Sequence, residues 1–302
     1  MAWSRNSRTP TLLGEVSFLP VASALAVAYC GAVALGSGGA RASSGGLEHL
    51  SGAGRRLLGW ELAIVLGLSL GKSAVYALVN LANRLTWTES LKDQATTIHS
   101  PASPRPWWDL LYQVLGIGFA LVPCALALYL LARSAAGGMR GACRGIGLDG
   151  SRPWRDVGWG AAIAAVIGVP GLAFYAAGRA AGITIHVQTS ALDQYWWTIP
   201  VLVLSAVENG LVEEVIVVAY LARRLEELRF GAVGVYVFSA ALRGAYHLYQ
   251  GFGPFIANAA MGVAFLWWYR RTGRIGPLVA GHALLDIVAF VGPCLLPTGW
   301  LG

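Results

Sequence analysis

Long apolar stretches alternate with short polar ones along most of the chain. The apolar runs lie at about 17–36, 57–84, 107–133, 157–181, 195–222, 231–249, 254–270 and 275–293. A helix needs roughly 20 such residues to cross the hydrocarbon of a bilayer. The pattern therefore predicts an all-α, multi-pass protein with about eight transmembrane helices. Aromatic residues gather at the run ends (Trp107 and Trp108, Trp154 and Trp159, Trp196 and Trp197, Trp267 to Tyr269), where amphipathic rings sit at a membrane interface. The first run follows Arg5 and Arg8 like a signal peptide but lacks a small-x-small cleavage site beside polar flanks, so it reads as a helix. Gly-, Ser- and Pro-rich stretches at 36–54 and 94–106 read as loops, and 134–156 as a connection with a short surface helix near Arg155.

Composition agrees with the pattern. Charged residues make up 12% of the chain and hydrophobic ones 56%, against about 25% charged in a soluble domain. The formal charge of +7 does not describe a nucleic-acid surface, because the arginines fall in loops between apolar runs. Loops 133–156, 222–230 and 270–274 hold Arg133, Arg140, Arg144, Arg152, Arg155, Arg223, Arg224, Arg229, Arg270, Arg271 and Arg274, whereas the loops near 179–194 and 249–254 hold Arg179 alone. The positive-inside rule places the three basic loops in the cytoplasm of a bacterial plasma membrane. Strict alternation over eight spans then puts the N-terminus outside, against Arg5 and Arg8, and the pattern leaves the front end open. Cys30, Cys124, Cys143 and Cys294 show no metal-site spacing. Residues 1–143 read as an accessory part, 144–293 as the core and 294–302 as a tail.

Ionisable side chains inside apolar runs are costly, at about 3 kcal/mol each on insertion scales, and they default to function. They concentrate late in the chain. Glu208, Asn209, Glu213 and Glu214 lie on the fifth run, Arg243 and His247 on the sixth, and His282 and Asp286 on the eighth. Arg243 and His247 are four apart, as are His282 and Asp286, so each pair shares a helix face. Adjacent Glu213 and Glu214 diverge by roughly 100° around a helix, one facing a site and the other a partner. Two histidines and a carboxylate meeting in a wet cavity suit general-base activation of water. They equally make up a His₂Glu zinc-ligand set from Glu213, His247 and His282. Glu61 and Lys72 read as interfacial, snorkelling groups.

These residues resemble a family pattern. E-E-x-x-x-R, then F-x-x-x-H on the next helix, then H-x-x-x-N/D two helices later mark the CPBP family (CAAX proteases and bacteriocin-processing enzymes, also called Abi), which includes the type II CAAX prenyl endopeptidases. Glu213 and Glu214 match the first motif, His247 the second, and His282 with Asp286 the third. Tyr269-Arg270-Arg271-Thr272-Gly273 and the stretch at 145–160 also resemble the family. Val218 stands where the first motif has Arg, and Arg243 where the second has Phe.

The resemblance implies an intramembrane endopeptidase acting on a peptide or membrane-tethered protein. Glu213 and His247 would activate water, and His282 and Asp286 would stabilise the oxyanion, with Arg243 and Asn209 supporting. Either no cofactor or one divalent metal, zinc, is compatible. Lipid and a membrane-protein partner are the other expected contacts. A scaffold that keeps the fold without catalysis is the first rival reading, and a transporter the second. Arg243 is expected to pair with Glu214 in place of the missing motif-one arginine. One conflict stands out: Glu213 and His282 count to roughly 15 and 12 Å from Arg223 and Arg274, but His247 to roughly 27 Å from Arg229. Convergence would require a sixth helix that starts late, after Gly234, or is tilted and offset. For the topology, cysteines placed in the loops of Arg144, Arg224 and Arg271 should resist a membrane-impermeant thiol reagent applied from outside. Labelling at two of the three would reverse the orientation.

Overall fold

The apolar runs become helices, and their ends are set by local chemistry. The computed structural model describes residues 52–295. The first run, Arg5, Arg8, Arg41, Cys30, His49 and most of the tail lie outside the described residues. The helices are α1 (Gly52–Leu68), α2 (Leu70–Leu85), α3 (Pro106–Ala132), α4 (Gly138–Gly145), α5 (Pro153–Ala180), α6 (Thr198–Glu213), α7 (Leu221–Glu227), α8 (Ala232–Ala245), α9 (Phe252–Thr272) and α10 (Gly276–Leu295). Pro106 and Pro153 open α3 and α5, where a missing N–H costs nothing. Gly273, at φ 67°, closes α9 in the left-handed conformation. Between α6 and α7 the helix widens into a π-helical segment, Glu214–Tyr220, every residue of which is buried.

The structure corrects the sequence reading at several points. The fold is mostly helical but not all-α. Ala95–His99 (β1) and His186–Ser190 (β2) pair in parallel, Ala95 opposite His186. β1 falls in a stretch read as loop, although Thr96, Thr97 and Ile98 are β-branched and suit a strand. By length and apolar composition, α3, α5 and α10 are able to cross a membrane, and the pair α1–α2, bent by 56°, makes a fourth if counted as one span. Among the described residues that gives three or four by this measure; the first run lies outside them, and the count of eight is not confirmed. α8 has only 14 residues, and the charged pair Glu213–Glu214 interrupts the 195–222 run. The short helix of the 134–156 connection is α4, while Arg155 already belongs to α5. Glu61 does not snorkel: its Oε1 lies 2.7 Å from an Arg224 guanidinium nitrogen and accepts the Tyr220 hydroxyl at 3.1 Å.

The two ends of the helix array differ in chemistry. At one end the basic loops bond to each other. Arg274 donates to Asp156 at 2.8 Å and Asp149 at 3.1 Å, Arg270 to Glu226 at 2.5 Å, and Arg224 to the Leu130 carbonyl at 3.0 Å. The Ser151 hydroxyl and backbone N–H hold the Asp149 carboxyl down to about 2, so it stays charged for Arg274. At the other end lie the β1–β2 pair and the turn after α8. The Ile185 N–H donates to the Gln250 carbonyl at 2.9 Å, and Gly251 bridges Thr184. Gly251 sits at φ 103°, and a Cβ there would lie 2.6 Å from the Ile183 carbonyl oxygen, so only glycine closes this turn.

The core forms around the π-helical segment. Val215 to Tyr220 pack with Leu62 and Val65 of α1, Ala127 and Leu131 of α3, Phe265 and Leu266 of α9, and Leu278 of α10. Small residues bring the helices close, as they do where lipid supplies no hydrophobic drive between helices. A Cβ on Gly160 of α5 would lie 2.7 Å from the Ala280 Cβ and 2.8 Å from the Gly281 nitrogen of α10, whereas one on Gly158 would meet nothing within 4 Å. Gly160→Leu should therefore destabilise the protein by about 1–3 kcal/mol, read as a lowered unfolding midpoint in detergent. Gly158→Leu should be close to neutral, and equal effects of the two would show that this contact does not hold the helices together.

Candidate functional site

Four elements deliver the ionisable side chains to one place. α6 carries Asn209 and Glu213, and the π-helical segment begins with Glu214. α8 carries Arg243. Tyr246 and His247 lie just beyond its end, and α10 carries His282 and Asp286. α6 and α10 approach closely because a Cβ on Gly210 would lie 3.0 Å from the Val279 carbonyl oxygen. The anticipated depth conflict is not met by a late start, since α8 begins at Ala232. Nor is His247 on the helix as read from sequence: α8 stops at Ala245, and His247 occupies the turn that Gly251 ties to Thr184.

At the centre is the Arg243 side chain, wholly buried. One of its terminal nitrogens, Nη2, donates to Glu214 Oε1 and, at 3.2 Å, to Glu213 Oε2. Its plane lies over the Phe265 ring with Cζ 4.9 Å from the centroid, and its Nε meets the Tyr246 hydroxyl at 3.4 Å. The expected Arg243–Glu214 pair is thus present, and Glu213 joins it. Glu213 and Glu214 keep ordinary helical dihedrals, at φ −69° ψ −45° and φ −75° ψ −35°, and both carboxylates still reach the one guanidinium. Ser239 donates to the Val217 carbonyl at 3.2 Å, satisfying an acceptor within that irregular stretch.

The same carboxylates order the rest. Glu214 Oε1 lies 2.7 Å from His282 Nδ1. A carboxylate oxygen only accepts, so Nδ1 carries a proton and His282 turns Nε2 toward Glu213 Oε2 at 3.9 Å and Asp286 Oδ2 at 3.7 Å. Asn209 donates to Asp286 Oδ2 at 3.2 Å. The Tyr246 hydroxyl donates to Glu213 Oε2 at 2.6 Å. With Oε2 held by Arg243 and Tyr246, Glu213 presents Oε1 to His247 Nε2, 4.0 Å away. Both His247 ring nitrogens lack a hydrogen-bond partner among the described residues. Solvent reaches the His247, Glu213 and Asp286 side chains at 18%, 10% and 20% exposure, while Glu214 and Arg243 have none. The cluster thus has an open edge of three groups and a sealed back.

All seven residues selected from sequence, Asn209, Glu213, Glu214, Arg243, His247, His282 and Asp286, lie in or beside this cluster. Glu208 is half-buried on the same helix, five residues before Glu213. Tyr246 was missed. Its signal was position alone, next to His247 and three residues after Arg243, and a tyrosine near a span end reads first as an interface anchor. The structure gathers a different donor set from the one named for a metal. The donor atoms gathered within 4.8 Å of one another belong to Glu213, Glu214 and His282, not to Glu213, His247 and His282.

Fold and site together define a helical membrane protein with paired carboxylates and two histidines arranged about a buried cation. Residues 195–288 match the family model described as type II CAAX prenyl endopeptidase Rce1-like, which supports membership of the CPBP family. No curated protein and no solved structure gave a match.

Removing one member of a buried ion pair strands the other charge at a cost of about 3–5 kcal/mol. Arg243→Ala and Glu214→Ala should each destabilise the protein on that scale, measured by denaturant unfolding in detergent. The double variant should lose less than the sum of the two, and strict additivity would show that the residues are not coupled.

Proposed function

We propose that this protein is an intramembrane endopeptidase of a bacterial plasma membrane, hydrolysing a peptide bond in a membrane-associated peptide or protein. The carrying observation is the facing pair Glu213 Oε1 and His247 Nε2. They lie 4.0 Å apart, too far for a direct hydrogen bond and suited to one water held between them. Glu213 Oε2 is taken by Arg243 and Tyr246, and His247 Nε2 is buried without a hydrogen-bond partner among the described residues, which a water in that gap would supply. The family match over 195–288 supports the same reaction class and implies a peptide or protein substrate.

In the proposed reaction, the water oxygen attacks the scissile carbonyl carbon while Glu213 takes a water proton, with His247 orienting the water. The carbon–oxygen bond forms and the carbonyl becomes an oxyanion. His282, as imidazolium with Nδ1–H on Glu214, donates from Nε2 to that oxyanion. Asp286 and Asn209 hold this edge of the imidazole. Collapse breaks the carbon–nitrogen bond, and the proton held by Glu213 passes to the departing amine. Glu214, Arg243 and Tyr246 are positioning residues.

On this reading α6 with α7, α8 and α9 also lie in the bilayer. α6 and α8 are short, at 16 and 14 residues, and carry the polar site on faces that the protein interior shields from lipid. The helices before 144 serve as the accessory part around the 144–293 core, and lipid covers the outer apolar faces. The transporter reading calls for paired broken helices in two related halves. Among the described residues α1–α2 is the single bent pair.

Glu213→Gln should abolish cleavage, since an amide cannot accept the water's proton; the expected loss is on the order of 10²–10⁴-fold. Membrane insertion and folding should be preserved, because the amide still accepts from Tyr246 and Arg243 and Glu214 still pairs with the guanidinium. The assay is mass spectrometry of tethered model peptides co-reconstituted in liposomes. A Gln variant cleaving like the parent would reject the assignment of the base.

A further inference from the structure

The three side chains Glu213, Glu214 and His282 have the composition of a divalent-metal site, with donor atoms within 4.8 Å of one another. A metal in this cluster would need their lone pairs, at about 2.0–2.2 Å from each oxygen and nitrogen. The donor atoms that face the centre of the cluster already meet a cation. Arg243 Nη2 bonds Glu214 Oε1, lies 3.2 Å from Glu213 Oε2, and stands 3.4 Å from His282 Nδ1. His282 Nδ1 is itself committed as a donor to Glu214 Oε1 at 2.7 Å. A protonated Nδ1 offers no lone pair to a metal at the centre of the cluster. The guanidinium therefore sits amid the three donors, where a dication would have to be, and two like charges so close in a sealed site would repel strongly. The residues present do not fit a bound metal.

The fold builds room for this arginine. A Cβ on Gly262 of α9 would lie 3.2 Å from Arg243 Cδ and 3.5 Å from its Cβ, so glycine opens the lane along which the side chain runs. Phe265, one turn further along α9, covers the guanidinium face. Val218, wholly buried, offers no competing charge from the π-helical segment. Arg243 is thus a resident part of the packed interior.

We propose that Arg243 is the cation of this site, holding by covalent attachment the place a divalent metal would take between Glu213, Glu214 and His282, and that removing it uncovers a metal site. The proposal deepens the endopeptidase reading and rests on it for its chemical consequence, which is hydrolysis without a metal. Its test reads metal content with no substrate present. If proteolysis is wrongly assigned, cleavage assays fail and the metal result stands.

The experiment uses the purified full-length protein, saturated with zinc, desalted and analysed by elemental mass spectrometry. The parent should carry well under one zinc per chain, and Arg243→Lys, which keeps a cation, should do the same. Arg243→Ala should gain about one zinc per chain and lose it again when Glu214→Ala or His282→Ala is added. Parent protein that holds one zinc, released by His282→Ala, would overturn the proposal. A folded Arg243→Ala variant that gains no zinc would also overturn it. If Arg243→Ala does not fold, the parent and Arg243→Lys decide alone: zinc at the cluster in either rejects the proposal, and its absence in both upholds the filled site.

Discussion

A guanidinium sealed from water survives only where fixed carboxylates meet it, and the organisation around Arg243 follows from that requirement. Desolvating an ion costs several kcal/mol even after relaxation. Arg243 has no solvent exposure, so its compensation has to come from Glu213 and Glu214. Once those two are committed, the rest is constrained in sequence. Glu214 fixes the His282 tautomer. Glu213, held at Oε2 by Arg243 and Tyr246, has one oxygen left to face His247. The open edge and the sealed back of the cluster are two sides of one electrostatic arrangement.

That arrangement dictates backbone irregularities that a regular bundle would not contain. The π-helical segment begins at Glu214, and the stretch that follows is packed by α1, α3, α9 and α10. α8 ends early, so that His247 sits in a turn and not on a helix. The turn is held at the far side by backbone bonds to 183–185 and by the left-handed Gly251. The β1–β2 pair next to it serves as an anchor for this turn. The helices read as accessory also contribute: Tyr220 and Arg224, which end the irregular stretch, are tied to Glu61 of α1.

Much of this was legible in the sequence because charge in an apolar run is conspicuous. Glu213, Glu214, Arg243, His247, His282 and Asp286 stood out for that reason, and Val218 beside Arg243 pointed to a displaced cation. What stayed hidden had no such contrast. Tyr246 is an aromatic among aromatics, and its role depends on which way the hydroxyl points. The strand Ala95–His99 was hidden by its Ser- and Pro-rich neighbours. Hydropathy averages over a run, so it could not register that α8 stops at Ala245. Glu61 looked interfacial because its partner, Arg224, lies 163 positions further along the chain.

Where the cation is attached decides what it can hold together. An arginine at position 218 would lie on the same helical stretch as Glu213 and Glu214, one turn along, and its pairing would be satisfied within that stretch before any tertiary contact formed. Attached at 243, the charge arrives on another element, and both carboxylates remain uncompensated until α8 docks. Docking in turn requires the passage beside Gly262 and the cover of Phe265, both from α9. The electrostatic stabilisation is therefore conditional on α6, α8, α9 and α10 being assembled together. In a bilayer, where apolar faces gain little by leaving lipid for each other, such a conditional ion pair supplies a specific drive for association. The residues that set the site's chemistry are then also those that select its helix packing.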